Sequence, residues 1–332
     1  MKSSTRRAFL RSASLHLPAL AAAASLAPGL SLAADEFPSR PIRFVSPFTP
    51  GGTADILARA LGEGMARALN QPVVIENMGG GSGTIGGLAV ARARPDGYTL
   101  YLGGLGINVV MPMIDKDQPF KPQQQLAPVS LLASYQQIIV ARADSPISTL
   151  ADIVSQSRQK QGLSYGTSGV TTSNYLGTEV LKSEAGFDLI HVPYKGEAPT
   201  LQDLMGGVLE LANISVSVAM PYIRAGKLKA IVTMYPSRVK ELPNVPSVTE
   251  TYPNVSVDPW FALYTTARTP AATISTLNAA VRKALEEKAI ADLLEQRGFV
   301  VRSSPSADAF AKFSQAEAAT WQARLHKAKL IA

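Results

Sequence analysis

A strand that runs through a Pro/Gly turn directly into a helix is the feature that most constrains this chain. Residues 44–55 read FVSPFTPGGTAD, and Thr53 is placed to cap the helix that follows the turn. The first backbone N–H groups of a helix have no partner inside it, and they lie at the positive end of the helix dipole. Because no Lys or Arg lies between Ser46 and Leu57, the turn is a candidate site for a carboxylate or phosphate held by oriented amides.

Strand and helix patterns alternate along most of the chain. The pattern predicts strands at 42–45, 73–75 and 98–102, with amphipathic or small-residue helices between them. This alternation is typical of a parallel sheet with right-handed crossovers. A Gly-rich segment follows each of the three strands. Since the carboxyl ends of parallel strands meet at one edge of the sheet, these segments are expected to open together where such sheets bind ligands.

A second strand–helix unit follows, and the chain then returns to the first. The stretch 236–259 contains five prolines and is expected to wrap the surface. We predict two α/β lobes joined by a two-strand hinge, with the crossings near 130–140 and 256–266, so that a ligand between the lobes favours closure. Lobe 1 would comprise 34–135 and 262–332, and lobe 2 would comprise 136–261.

Three local expectations bear on the site. The Pro- and Gln-rich stretch 111–128 is predicted to be surface loop, and 103–108 is predicted to be a loop after the third strand. Residues 208–213 are predicted to form a strand.

The N-terminus has the pattern of an export signal. Residues 5–11 read TRRAFLR, and Ala/Leu-rich sequence continues to a small-residue cleavage motif at 31–33. We therefore predict a twin-arginine-type signal peptide at 1–33 and a periplasmic protein, with the general secretory route as the alternative. A membrane anchor is disfavoured because Pro18, Pro28 and Gly29 interrupt the apolar run.

Composition excludes several function classes. The chain has 332 residues, of which 46% are apolar and 17% charged, and it contains no cysteine, so disulfide and thiol chemistry are excluded. Four of the basic residues behind the net charge of +7 lie in the leader, which leaves +3 for the remainder. That charge is mild, and no basic run with interleaved aromatics is present, so we expect no nucleic-acid binding.

Several motifs occur together and in a characteristic order. They are PFTPGGTADILAR, QPVVIEN, PDGYTLYLG, HVPYKG-x-AP, AGKLKA and LPNVPSV. Together they resemble the periplasmic solute receptors of tripartite tricarboxylate transporters, the Bug or TctC-like family, from about Phe37 to the C-terminus. The resemblance implies an α/β type II periplasmic-binding-protein fold. It also implies a receptor that captures a small organic acid and delivers it to a membrane permease, without enzymatic activity and without a metal or organic cofactor. We expect a monomer.

The resemblance also indicates where the ligand would bind. Contacts would come from the PF-x-PGG-x-x-D loop, from the loop after the third strand, and from the hydroxyl-rich segment GTSGVTTSN at 166–174. The predicted ligand-binding residues are Phe48, Thr49, Gly51, Gly52, Thr53, Asp55, Gly104, Ile107, Thr167, Ser168, Thr172, Ser173 and Ile214. Structural roles are the alternative for several of them: helix capping for Thr53, Asp55 and the hydroxyl loop, and a place in the core for Phe48.

One departure from the family pattern bears on the ligand. The family often has an Asp just beyond the strand at 208–213, where this chain has Ile214 and Ser215. Loss of that acid disfavours an amino-bearing ligand, and the added Ile favours an apolar ligand body. We therefore predict a mono- or dicarboxylate without an amino group.

Three other functions remain to be weighed. GSGTIG at 81–86 matches the dinucleotide fingerprint, but four residues separate it from the preceding strand, and no acid ends the next strand. An exported hydrolase is disfavoured because only His191 and His326 follow the leader and no Gly-x-Ser-x-Gly elbow is present. A receptor that presents its ligand to a sensor, rather than to a permease, is compatible with the same motifs.

Overall fold

Two β-sheets organise the chain in the computed structural model, which describes residues 37–159 and 162–331. The predicted signal peptide lies outside these residues. The strands are β1 (Ile42–Ser46), β2 (Val73–Asn77), β3 (Thr99–Gly104), β4 (Leu126–Tyr135), β5 (Gln137–Arg142), β6 (Ser164–Thr167), β7 (Ile190–Pro193), β8 (Leu211–Ser215), β9 (Leu228–Thr233), β10 (Trp260–Thr266) and β11 (Phe299–Val301). The helices are α1 (Thr53–Leu69), α2 (Thr84–Ala91), α3 (Met111–Ile114), α4 (Pro122–Gln125), α5 (Leu150–Gln159), α6 (Ser173–Ala185), α7 (Glu197–Met205), α8 (Val216–Arg224), α9 (Ala271–Glu286), α10 (Lys288–Gln296) and α11 (Ala307–Lys327).

The first sheet, in the order β11-β4-β10-β3-β1-β2, defines lobe 1. Strand β1 is parallel to both β2 and β3, as predicted. Strand β10 is antiparallel to its neighbours β3 and β4, so the sheet is mixed rather than wholly parallel. The segments that follow β1, β2 and β3 therefore leave the sheet at one edge.

The second sheet, in the order β7-β6-β8-β5-β9, defines lobe 2. The chain enters it at Gln136, the residue between β4 and β5, and returns to the first sheet at Trp260, where β10 begins. The predicted return was at residue 262. Since the residues from Pro38 onward form one compact unit, the exact division into lobes stays a prediction.

Helix α1 packs against lobe 1 through an apolar stripe that includes Leu57, Leu61 and Met65, all fully buried. Gly64 permits its close approach to α9, because a methyl group at this position would come within 2.7 Å of the Ala284 methyl. The packing fixes the start of α1, and hence the candidate anion site, against the edge of the first sheet.

The stretch 111–128 differs from the prediction of surface loop. It contains α3 and α4 and the beginning of β4, and Phe120 within it is fully buried. The prolines do not prevent helix formation here, because Pro112 and Pro122 lie in the first turn of their helices, where no intrahelical N–H is needed. Pro128 lies in β4 beside a register irregularity of the β4–β10 ladder, a position that tolerates proline.

Two further boundaries differ from the predictions. Strand β3 extends through Gly104 and is followed by a π-helical segment, Leu105–Val110, where a loop was predicted. Strand β8 begins three residues later than predicted, at Leu211, because a turn with Gly207 in the left-handed region precedes it. Ile214 therefore lies inside the strand and not beyond it.

Candidate ligand-binding site

A small cavity lies between the two lobes, at the edge of the first sheet where β1 and β3 end. Its volume is about 30 Å³, room for about one or two water molecules. Its walls contain eight of the predicted ligand residues: Phe48, Gly52, Thr53, Gly104, Ile107, Ser168, Thr172 and Ser173. The other lining residues were not predicted: Ala54, Leu105, Gly106, Tyr135, Asn174, Glu197, Trp260 and Phe261. The lobes are therefore closed on one another in this structure.

The turn after β1 prepares the N-terminus of α1 as expected. Gly51 adopts a φ of 84°, which favours glycine, and Gly52 rather than Thr53 is the N-cap. Gly52 has no side chain to cap the helix, so the amide and hydroxyl of Thr53 are free to bind a group from outside the helix.

The group that binds there is the side chain of Glu197, from the start of α7 in lobe 2. Its Oε2 accepts hydrogen bonds from the Thr53 amide at 2.9 Å and the Thr53 hydroxyl at 2.7 Å. Its Oε1 accepts one from the Ser215 amide at 2.6 Å. The anion predicted at this helix terminus is thus a carboxylate of the protein itself.

The hydroxyls of Ser215 and Ser217 extend this contact. Both lie against the Thr53 hydroxyl, with Ser217 Oγ at 2.8 Å, and they are 3.0 Å from each other. Thr53, Glu197 and the two serines are all buried. Because Thr53 belongs to lobe 1 and the other three to lobe 2, every one of these bonds between Thr53 and its partners crosses the cleft.

Asp55 serves the turn and does not line the cavity. Its carboxylate accepts hydrogen bonds from the Gly51 amide, the Arg59 guanidinium and the Asn77 side chain. Burial alone would raise the pKa of Asp55, but these bonds and the Arg59 charge together lower it below its ordinary value. Its position favours the structural alternative over ligand contact.

Four other predicted residues also lie outside the cavity wall. The Thr49 amide donates to the Lys195 carbonyl across the cleft, at 3.4 Å, and Gly51 faces Ala198. The Thr167 hydroxyl lies 2.7 Å from His191 Nε2 and donates to the Gly169 carbonyl. Ile214 is fully buried in an apolar cluster within lobe 2, because β8 continues through it.

The N-terminus of α6 forms the polar wall in lobe 2. Thr172 is its N-cap, and its hydroxyl accepts from the Tyr175 amide at 3.5 Å and donates to the Gly169 carbonyl at 2.9 Å. Ser168 and Ser173 lie beside it in the cavity wall. The Asn174 side-chain nitrogen is buried and has no hydrogen-bond partner within the described part of the chain. This wall therefore retains capacity to donate hydrogen bonds.

Aromatic rings form the opposite wall. Tyr135 stacks on Phe261 with ring centroids 4.7 Å apart, and Trp260 meets Phe310 edge to face. Trp260 also donates from its indole nitrogen to Glu317 at 3.2 Å. Burial, followed by the charge of Glu197, raises the pKa of Tyr135, so its hydroxyl remains protonated. Tyr135 comes from the first strand crossing, and Trp260 and Phe261 come from the second.

Sequence reasoning missed this wall and Glu197, although some signals were present. Trp260 and Phe261 begin a predicted strand at the second crossing, and Glu197 occupies the variable position of the HVPYKG-x-AP motif. Their meeting with Thr53 could not be read from the sequence, since Glu197 and Thr53 are 144 residues apart.

The residues that suggested a dinucleotide enzyme or a hydrolase have structural roles. His191 lies between the rings of Tyr165 and Tyr175, and burial, followed by the charge of Lys182, lowers its pKa to about 4. In the segment GSGTIG, Gly83 packs against Ile107 and Pro47.

Over residues 37–159 and 162–331 there is no cluster of three or more His, Cys, Asp or Glu that could hold a metal. Nor does any described helix have the length and apolar character needed to cross a membrane.

Comparison with known proteins identifies the family. The family model for the tripartite tricarboxylate transporter family receptor matches residues 57–330. Protein BugT of Bordetella pertussis is 31% identical over 275 residues, which cover 80% of this chain and 83% of the relative. The solved structure of MatC from Rhodopseudomonas palustris with bound malate is 31% identical, with a TM-score of 0.82 over 87% of this chain and 100% of that one. A structure from R. palustris with adipate is 28% identical, with a TM-score of 0.83 over 89% of this chain and 99% of that one. The chain therefore belongs to the tripartite tricarboxylate transporter receptor family, whose members are periplasmic solute-binding proteins and not enzymes.

Proposed function

We propose that this protein captures a small organic mono- or dicarboxylate without an amino group and delivers it to the membrane permease of a tripartite transporter. The observation that carries the proposal is the cleft, in which polar groups of one lobe face aromatic groups of the other. Two structural neighbours contain malate and adipate, which are carboxylates of the proposed size.

The polar wall would bind the carboxylate. The N-terminus of α6 offers the positive end of a helix dipole, and Ser168, Ser173 and Asn174 stand beside it. No Lys or Arg is present among the described residues that line the cavity. The carboxylate would therefore be held by neutral donors, as the sequence pattern of the Pro/Gly turn suggested for the opposite lobe.

The aromatic wall would bind the rest of the ligand. Phe48, Tyr135, Trp260 and Ile107 present apolar surface to the cavity. Burial of an aliphatic or aromatic body there is favourable by about 25 cal/mol per Å² of apolar area. The apolar character supports a ligand without an amino group, because an ammonium would lose its hydration against these side chains. Glu197, which lines the same cavity, already accepts three hydrogen bonds from described residues of the protein, which reduces its capacity to bind an ammonium.

Ligand entry would require the lobes to separate. A cavity of about 30 Å³ is much smaller than a carboxylate with several carbon atoms. A ligand that contacts both lobes only in the closed form stabilises that form, and the permease would then recognise it. We also propose that the leader at 1–33 directs export by the twin-arginine route and is removed in the mature protein.

The experiment is a titration of the mature protein followed by tryptophan fluorescence. The protein has two tryptophans, and Trp260 lines the cavity. The titrants are aliphatic and aromatic mono-, di- and tricarboxylates, amino acids and NAD. We expect a saturable signal with one class of carboxylate and none with amino acids or NAD. Tighter binding of glutamate, aspartate or NAD than of every non-amino carboxylate would contradict the proposal.

A pair of variants locates the site. Ser168→Ala removes a hydroxyl from the cavity wall and should weaken carboxylate binding about tenfold, the effect of losing a hydrogen bond to a charged group. Ser155→Ala is the matched control, because Ser155 is exposed on α5 of the same lobe and its hydroxyl donates to the Asp152 carbonyl of the same helix. Equal affinities in the two variants would place the carboxylate elsewhere.

A further inference from the structure

The N-terminus of α1 already binds a carboxylate of the chain. Among the described residues, three donors bind Glu197: the Thr53 amide, the Thr53 hydroxyl and the Ser215 amide. The side chain is buried and forms part of the cavity wall. The helix terminus that the sequence pattern offers to a ligand anion is therefore occupied in the closed form.

The charge of Glu197 is not compensated by a basic residue at the cavity. Within the described chain, no Lys or Arg is among the lining residues, and the donors to Glu197 are neutral. Lys195, two residues away, is exposed and meets lobe 1 through its carbonyl, which accepts from the Thr49 amide. A second anion brought near Glu197 would thus meet a like charge in a poorly hydrated space.

The wall at the start of α6 retains donors for one anion. The side-chain nitrogen of Asn174 is buried without a hydrogen-bond partner among the described residues, and it belongs to the first turn of α6. Ser168 lies in the same wall. The rest of the lining is largely aromatic and aliphatic, including Phe48, Tyr135 and Trp260.

We infer that Glu197 is the specificity-determining residue of this receptor and that it selects monocarboxylates over dicarboxylates. The side chain supplies, from within the protein, the carboxylate that the second acid group of a dicarboxylate would otherwise provide at α1. The ligand would then present its single carboxylate to α6 and an uncharged end to Glu197. The inference rests on the proposed function and specifies the ligand class within it.

The test uses three ligands that share one carbon chain and differ only in the group at the far end. Hexanoate has an uncharged end, adipate has a second carboxylate, and 6-aminohexanoate has an ammonium. Adipate is also the ligand of a structural neighbour. Dissociation constants would be measured by calorimetry for the wild type, for Glu197→Gln and for Glu197→Ala, all as the mature protein.

We expect the wild type to bind hexanoate at least tenfold more tightly than adipate, because the second carboxylate of adipate would meet the like charge of Glu197 in a poorly hydrated space. Glu197→Gln keeps the shape and removes the charge, so this preference should shrink. Glu197→Ala also vacates the α1 terminus, so adipate should bind as tightly as hexanoate or more so. Glu286→Gln is the control for overall charge, because Glu286 is exposed on α9, and it should retain the wild-type preference.

The other results would overturn the inference in distinguishable ways. If the wild type prefers adipate and Glu197→Gln leaves the preference unchanged, monocarboxylate selection is wrong while carboxylate capture stands. If 6-aminohexanoate binds most tightly and loses that advantage in Glu197→Gln, Glu197 recruits an ammonium instead. If no variant binds any carboxylate, the proposed function fails and this inference fails with it. Circular dichroism of each variant shows that the comparison is made on folded protein.

Discussion

Replacement of Thr53 by Val should open the receptor. The substitution keeps the volume of the side chain and removes the hydroxyl that donates to Glu197 at 2.7 Å and lies 2.8 Å from Ser217 Oγ. The amides of Thr53 and Ser215 continue to hold the carboxylate, so the contact is weakened and not abolished. Since the lost bonds join the two lobes, the cost falls on the closed form, and in the open form water can bind the exposed carboxylate.

The magnitude follows from the charge of the acceptor. A hydrogen bond to a charged group contributes about 1.5–3 kcal/mol, and the buried site of Glu197 excludes compensation by water in the closed form. At about 1.4 kcal/mol per factor of ten, the ratio of open to closed molecules should rise by roughly 10- to 150-fold. Thr53→Ser retains the hydroxyl and should behave nearly as the wild type does.

A distance between labels on the two sides of the cleft measures this shift. The chain has no cysteine, so Ile85→Cys and Val170→Cys introduce two specific labelling sites. Both residues are exposed, by 52% and 48%, and they flank the contact of Ser82 with Gly169 at the rim of the cleft. Spin labels there report the distribution of distances in the ligand-free protein.

We expect a longer-distance population in Thr53→Val that is smaller in the wild type and in Thr53→Ser. Urea unfolding should show a loss of at most about 1.5–3 kcal/mol, because the unfolding free energy falls only until the open form becomes the main native state. If the distances and the unfolding free energy of Thr53→Val both equal those of the wild type, the hydroxyl does not hold the lobes together and the reasoning is refuted.

Two further predictions concern stability. The folded pKa of His191 lies at about 4, below its ordinary 6.5, so the folded state binds fewer protons than the unfolded state between these values. Stability that is present above pH 6.5 is therefore lost as the pH falls toward 4. When the pH is lowered from about 7.5 to 5, the wild type should lose roughly 1–2 kcal/mol more unfolding free energy than His191→Gln. This figure is reduced because the ring is partly exposed. Urea unfolding at both pH values tests this, and equal losses would contradict it. Gly87→Ala should cost about 1–3 kcal/mol by thermal unfolding, because the new methyl would come within 2.4 Å of the Phe120 ring. Gly206→Ala, at an exposed helix end with φ of −73°, is the control. An equal loss of stability in the two variants would show that the Phe120 ring moves aside at little cost.

The sequence by itself determined the features that depend on neighbouring residues. The turn from β1 into α1, the parallel arrangement of β1, β2 and β3, and the hydroxyl-rich start of α6 all follow from local patterns of apolar, Gly and capping residues. The motif set also identified the family, and eight of the predicted ligand residues were brought together around one cavity. Their contact with a ligand remains a prediction.

Tertiary structure decided the features that depend on residues far apart in the chain. The stretch 111–128 has the composition of a loop, yet its last residues form a strand because they pair with β10. The position of Ile214 was set by where β8 begins, so this residue packs inside lobe 2 and not in the cleft. Local propensity is a weak preference that long-range pairing and burial override.

The same reason explains why Glu197 was missed. Its neighbours in the sequence mark it as an ordinary first-turn acid of a helix, a favourable place for a carboxylate with respect to its own dipole. Only closure of the two lobes brings it to the start of α1, a helix from the opposite side of the cleft. The sequence specified a site for an anion at α1, and the tertiary structure decided that the anion belongs to the protein, because the contact forms only when both lobes are folded and closed.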